Sequence, residues 1–249
     1  MAPEKLTRQA VIEQALKLAD TDGLQAVTIR RLAAELGVTP TALYWHVKNK
    51  DELLSALADH LLAALVADVD PNRPWSRRLR TMITALVEQT RAHPYLSTLL
   101  PMIDKSAAEG YLRATDTAIG LLTEAGFTLQ EADQVATYLL LGATAMVSCQ
   151  PGGGSDEEEA TELRRQHRLD LERLPPGRYP HLAAFAATLS TPPDLDAYYS
   201  FGIDLLLSAV KATPPNGCRS SQAPAARSES AGATGNSGVI VRHEHGEGS

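Results

Sequence analysis

The sequence predicts an all-α chain, a small N-terminal three-helix unit followed by a larger helical domain. Three observations predict it. Apolar residues recur at three- and four-residue spacing through nearly everything up to about residue 212, the period of one helix face. Hydroxyl and amide residues stand just ahead of those apolar runs, and glycines just behind them, in the order that helix caps require. No stretch alternates polar and apolar with the period of a strand, and no segment repeats.

Each element follows in turn. Thr7 opens a first helix whose Val11, Ile12, Ala15, Leu16, Leu18 and Ala19 share a face, and Gly23 stops it. Thr28 caps a short second helix carrying Leu32, Ala33 and Leu36, ended by Gly37, which tolerates the left-handed conformation. Thr39-Pro40 places a hydroxyl cap before a proline at the first helical position and starts a third helix, expected to reach Val47. Asn49 and Glu52 start a long fourth helix to about Val69, and the run 70–74, DPNRP, breaks the chain. Further helices are expected from Trp75 to about His93 and from Ser106 to Ala125, with Gly126 as the stop. The Thr128–Glu131 capping-box pattern opens a helix over 129–149, and three more follow at 160–173, 181–190 and 195–211. The expected boundaries are a first domain over 1–54, a connecting helix over 51–69, and a second domain over 70–211. Residues 212–249, rich in Gly, Ser, Ala and Pro, are expected to be a disordered tail.

Composition narrows the function. The chain has 249 residues, 44% of them apolar, enough for a sizeable core. The net charge of −7 is uneven: residues 1–50 carry seven Lys and Arg against five Asp and Glu, and the rest carries −9. A positive first fifth on an acidic chain points to a localised anion-binding surface. Cys149 and Cys218 lie far apart and make no disulfide framework. No apolar leader follows Met1, and the longest apolar run, 135–149, is too short to span a bilayer comfortably. The expected compartment is the cytoplasm, with no membrane partner.

Helix 28–36, the turn at Gly37 and helix 39–47 make a helix-turn-helix. Leu32 and Leu36 meet Leu43 and Val47 on an inner face, which leaves Thr39, Pro40, Thr41, Tyr44 and parts of Trp45 and His46 outside. A helix of this kind fits the major groove of double-stranded DNA and reads base edges from its N-terminal end. Thr28, Arg30, Lys48 and Lys50 stand at the margins of that face, where phosphates are met. Aromatics on a short helix are ordinarily core. Here caps, stops and spacing form a whole motif, and polar-tipped rings beside two cations are better read as a contact surface.

The run TIRRLAAELGVTPTALYWHVKNKDELLSALADHLL resembles the DNA-binding domain of the tetracycline-repressor (TetR) family. The resemblance is strong over about 7–65 and weaker but collinear from Trp75 to about Lys211. It implies a homodimer whose third helices enter successive major grooves of a palindromic operator. Arg30 would read a guanine, Tyr44 and Lys50 would hold phosphates, and Trp45 and His46 would lie alongside. Pro40-Thr41-Ala42 stands where tetracycline repressors have Gln-Pro-Thr, so the operator is expected to differ.

The same resemblance implies a ligand cavity in the second domain and a dimer interface built by the last two long helices. Leu182, Phe185 and Leu189, with Tyr198, Phe201 and Leu205, supply the apolar stripes for that interface. Val66, Met82 and Leu86 replace the histidine, asparagine and phenylalanine with which tetracycline repressors hold their drug, and no metal-coordinating histidine has a counterpart. A magnesium–tetracycline complex is therefore not expected, nor any metal or cofactor. A larger hydrophobic or aromatic effector is expected instead, lined by Met82, Leu86, Leu100, Met102, Tyr111, Tyr138, Leu141 and Met146. Gly110, Gly120 and Gly142, inside apparent helices, are expected to let a ligand or neighbouring helix approach closely.

No enzyme motif competes. The run PGGGS lacks the lysine of a phosphate loop, neither GxSxG nor HExxH occurs, and HEH at 243–245 falls in the tail. No catalytic residue is assigned. The reading is a repressor released from its operator by a small hydrophobic or aromatic ligand. Its alternatives are a protein of this fold that binds ligand or partner without reading an operator, and an activator.

Overall fold

The computed structural model describes residues 6–151 and 157–213. Among the described residues the chain forms eleven α-helices, two 3-10 turns and no strand. The expected tail lies outside them, apart from Ala212 and Thr213, as does the HEH run.

The first domain is set by its caps. In α1 (Arg8–Asp22) the Thr7 hydroxyl accepts from the Ala10 amide at 3.1 Å, and Gly23, at φ 81°, ends the helix. A 3-10 turn (Leu24–Ala26) leads to α2 (Ile29–Glu35), where the Thr28 hydroxyl accepts from the Arg31 amide at 3.2 Å. Gly37 turns the chain at φ 66°, in the left-handed region. The Thr39 hydroxyl then caps α3 (Pro40–Leu43) through the Ala42 amide at 3.3 Å.

This third helix is one turn long and does not reach Val47. The amides of His46 and Val47 both donate to the Leu43 carbonyl, at 2.8 and 3.0 Å, so the chain closes into a tight turn over Tyr44–His46. The next cap follows within six residues. Asn49 must be extended, at φ −157° and ψ 179°, for its side chain to accept from the Glu52 amide at 2.8 Å and start α4 (Lys50–Ala67). Val11, Leu32, Leu43, Val47 and Leu53 are fully buried beneath α3, each contributing about 1.5–3 kcal/mol.

α4 runs out of this head into the second domain, packing on α1 at one end and on α5 and α7 at the other. The second domain comprises α5 (Trp75–Ala92), α6 (Leu96–Leu99), α7 (Glu109–Glu124), α8 (Leu129–Ser148), α9 (Glu157–Glu172), α10 (Pro180–Ala186) and α11 (Leu195–Ala212). The helix expected from Ser106 starts later, because Asp104 takes the Ser106 amide and hydroxyl at 3.0 and 2.6 Å in a local turn. The Thr128–Glu131 capping box forms as expected, and Gly126, at φ 101°, precedes it. A 3-10 turn (Ala187–Ser190) completes the helix expected over 181–190. One-turn α6 has no counterpart among the expected helices. Ion pairs tie the layers together: Arg78 with Glu124, Arg80 with Asp204, and Arg91 with Asp196 at 3.2 Å. His93 Nδ1 meets Asp20 Oδ1 at 2.6 Å and joins the second domain to α1. Among the described residues no helix is long and apolar enough to cross a membrane.

Candidate DNA-reading face and effector cavity

The tight turn that ends α3 pushes its rings outward. Trp45 is 86% exposed and Tyr44 52%, although Leu43 and Val47 on either side are fully buried. His46 is half-buried, and Thr28, Arg30, Thr39, Pro40, Thr41, Lys48 and Lys50 are exposed. Isolation of an apolar ring in water is unfavourable at about 25 cal/mol per Å², so the exposed indole marks a surface that folding alone does not explain. The cations divide into two sets. Arg31 pairs with Asp22 and Arg8 with Glu52, the latter at 3.9 Å. Arg30, Lys48 and Lys50 pair with no carboxylate among the described residues. Three of the cations that no ion pair neutralises thus stand beside the exposed rings. Glu52 accepts from the Lys48 amide at 2.8 Å and fixes the backbone between α3 and α4. The hydroxyls of Thr28 and Thr39 already accept as caps, and each retains its own hydrogen to donate and one further lone pair.

A cavity of about 90 Å³ lies in the second domain between α4, α5, α7 and α8. Leu62 and Leu65 reach it from α4, and Leu79, Met82, Ile83 and Leu86 from α5. The opposite wall carries Tyr111, Ala114, Thr115 and Ala118 on α7, and Asp133, Ala136, Thr137, Leu139 and Leu140 on α8. Of the eight residues expected to line an effector site, the structure places Met82, Leu86 and Tyr111 here. The other five sit elsewhere. Leu100 is buried in the core behind α6, and Met102 is exposed in the turn that follows it. Tyr138 and Leu141 face outward on α8, because positions 136, 139 and 140 take the cavity side of a 3.6-residue turn. Met146 packs at the seam between α8 and α11, where its sulfur presses on Gly202. Sequence reading missed Leu62, Leu65, Thr115, Asp133 and Thr137. The signal available was polar residues four apart on α7 and α8, interrupting faces that are otherwise apolar.

The glycines behave unequally. A Cβ on Gly110 would lie 2.5 Å from the Asp59 carbonyl oxygen, and one on Gly142 would lie 3.0 Å from Leu206. Gly120 has no such neighbour.

A second apolar surface runs along α8 and α11. Tyr138 and Leu141 on α8, with Phe201 and Leu205 on α11, are 57–70% exposed. The helices beneath them are packed together, with Tyr198 donating to the Met146 carbonyl at 3.2 Å. Leu182 and Phe185 are exposed on α10, and Leu189 is half-buried in the following turn, but this segment packs on α9. Of the six residues expected to form one interface, three thus lie on the segment packed on α9 and three on α11, which packs on α8. α8, not α10, is the neighbour of α11 that completes the second apolar surface.

Comparison with known proteins accounts for both halves. Residues 11–57 match the family of bacterial regulatory proteins described as the tetR family, and residues 69–213 match the tetracyclin repressor-like C-terminal domain. The chain is 32% identical over 173 residues to the class C tetracycline repressor protein of Escherichia coli, covering 66% of this chain and 71% of that one. It is 27% identical over 217 residues to the HTH-type transcriptional repressor DrrR1 of Streptomyces coeruleorubidus, covering 83% and 77%. The structure of the Streptomyces coelicolor TetR-family protein ActR with actinorhodin superposes with a TM-score of 0.69 at 27% identity, over 84% of this chain and 96% of that one. The exposed rings and free cations lie in the part matched by the first of these families, and the cavity in the part matched by the second: the chain belongs to the TetR family and is a DNA-binding transcriptional regulator.

Proposed function

We propose that the chain represses transcription as a homodimer on a palindromic operator, and that a small molecule entering the α4–α5–α7–α8 cavity releases it. The observation that carries the first part is the cluster of exposed Tyr44 and Trp45 beside Arg30, Lys48 and Lys50, cations that no carboxylate among the described residues neutralises. Arg30 reads a guanine, Tyr44 and Lys50 hold phosphates, and Thr41, Trp45 and His46 lie in the groove. The α8–α11 face, with Tyr138, Leu141, Phe201 and Leu205, is where a second copy packs. The crystallised complex of ActR with actinorhodin supports a small-molecule effector.

The cavity supports a mechanism for release. At about 90 Å³ it is well below the roughly 300–1,000 Å³ of a ligand cleft, so an effector must spread the helices to enter. Two of those lining residues, Leu62 and Leu65, belong to α4, whose other end carries Lys50. Displacing α4 changes the separation of the two reading heads, which must match successive grooves about 34–36 Å apart. A coupling of about 1–3 kcal/mol gives about 5–150-fold in operator affinity.

Selection of duplexes from a random pool by the purified chain tests this reading. A palindrome with half-sites about one turn apart is expected. Enrichment without a motif, abolished at moderate salt, would reduce the reading to phosphate-driven binding.

A further inference from the structure

We infer that the effector of this chain carries a protonated amine, paired with Asp133, at the edge of an apolar body. The inference rests on the cavity proposed above and assigns the chemistry of its ligand. Two walls differ in character. The α4 and α5 wall is wholly apolar: Leu62, Leu65, Leu79, Met82, Ile83 and Leu86. Every polar lining residue lies opposite, as Tyr111 and Thr115 on α7 and Asp133 and Thr137 on α8. Each pair is four residues apart and so shares one helix face.

Three of these polar groups, Thr115, Asp133 and Thr137, are held by no protein partner among the described residues. Threonines inside the helices of this chain ordinarily turn the hydroxyl back to the carbonyl four residues earlier, as Thr81, Thr90, Thr117, Thr123 and Thr144 do. Among the described residues Thr115 and Thr137 make no such bond, and Asp133 has neither a hydrogen-bond partner nor a cation. Asp133 and Thr137 are exposed at the rim of the cavity and Thr115 is half-buried, so a carboxylate and two hydroxyls without a protein partner stand along one side of the apolar space.

Charge then fixes the sign. No Lys, Arg or His lines the cavity, and Asp133 is its one carboxylate among the described residues. An anionic ligand would bring its charge toward Asp133 in a cavity that no cation lines. A primary ammonium has three donors, one each for Asp133 and the two hydroxyls, and a secondary ammonium has two. The Tyr111 ring does not compete for that charge, since the Lys105 ammonium already lies 5.5 Å from its centroid.

Calorimetric titration of the full chain with 1-naphthylmethylamine, 1-naphthylmethanol and 1-naphthoic acid separates the possibilities, because the three share one apolar body. The amine is expected to bind about fivefold tighter than the alcohol, the acid most weakly, with the amine's advantage shrinking as salt is raised. Asp133→Asn is expected to bring the amine-to-alcohol ratio to about one. Equal binding of amine and alcohol by the natural chain, or a ratio that survives Asp133→Asn, overturns the inference and leaves the cavity standing as an apolar site. Binding of none of the three overturns the cavity reading and the inference together.

Discussion

The Asp59 carboxylate on α4 accepts a hydrogen bond from the Gly110 amide at 2.7 Å, so one helix caps another. The start of α7 has no side-chain cap of its own, because Ala108 occupies the cap position. Asp59 therefore supplies both an acceptor and a negative charge where the helix dipole favours one. Tyr111, the next residue, lines the cavity. This contact helps to tie the cavity wall to the helix that begins in the reading head, so a ligand that shifted α7 would pull on α4.

Gly110→Ala sets two effects against each other. Alanine in a helix gains about 0.5–1 kcal/mol over glycine. Its Cβ, however, would lie 2.5 Å from the Asp59 carbonyl oxygen and 3.1 Å from the Asp59 Cα, neither of which can swing aside. Overpacking of this kind typically costs about 1–3 kcal/mol, so the collision wins. Denaturant unfolding is expected to show a net loss of about 1 kcal/mol or more. A stabilised variant would mean that the helices are not in close contact here.

Asp59→Ala removes the acceptor while leaving the Gly110 amide buried, and is expected to destabilise the fold by about 1–3 kcal/mol. Asn retains an acceptor but no charge, and should recover part of that stability. Because the two residues are in contact, the double variant Asp59→Ala/Gly110→Ala should fall short of the summed single effects by at least about 0.5 kcal/mol. Additive effects would show that the contact transmits nothing.

The free cations of the reading head predict a salt signature. Replacing Lys50 or Lys48 by Ala should weaken binding to all duplexes alike and lower the slope of log affinity against log salt by about 0.9 for each phosphate no longer neutralised. Arg30→Ala should instead relax discrimination at one base pair, by about 1–3 kcal/mol. Gel-shift titrations at several salt concentrations, against the selected duplex and single-base variants of it, distinguish the two behaviours. An Arg30→Ala protein with unaltered base preference would remove that residue from the reading set.

Trp45→Ala separates surface from core more sharply. The indole is 86% exposed, and truncation of an exposed side chain ordinarily changes stability by less than about 0.5 kcal/mol. Leu43, two residues earlier, is fully buried, and its truncation is expected to cost about 2–5 kcal/mol. Parallel thermal unfolding and duplex binding should find the Trp45 variant folded and weakened on DNA, and the Leu43 variant weakened in both. A large stability loss on truncating Trp45 would return the ring to the core.

What was legible in the sequence divides along physical lines. Local hydrogen bonding was legible: Thr7, Thr28, Thr39, Asn49 and Thr128 all cap where the pattern placed them, because a cap depends on residues three apart. Asymmetry of charge pointed to the reading head, and the unpaired Arg30, Lys48 and Lys50 are found there. The length of α3 was not legible, since periodicity alone assigns 40–47 to one helix and does not show the tight turn that the chain makes over Tyr44–His46. Nor were the helix faces. An amphipathic stripe on α8 does not say whether Tyr138 faces the cavity or the solvent, because α8 is apolar on both sides and only the packing of α5, α7 and α11 decides. The Asp59–Gly110 contact spans fifty-one positions and leaves no local trace.

That two-sided α8 yields the last prediction. Tyr138, Leu141, Phe201 and Leu205 form one apolar face that no part of the described chain covers. Leu182 and Phe185 are exposed as well, but on α10, which packs against α9. If a second copy covers the α8–α11 face, Leu205→Asp or Leu141→Asp must bury an unpaired carboxylate on association, at a cost of several kcal/mol. Two-fold symmetry doubles that cost, since each residue is presented twice in a dimer. Light scattering after gel filtration is therefore expected to find these variants monomeric at concentrations where the natural chain is dimeric. Duplex binding should fall with them, because one head holds half a palindrome. Leu182→Asp distinguishes the two surfaces: a dimer that survives Leu205→Asp and dissociates with Leu182→Asp would move the interface to α10.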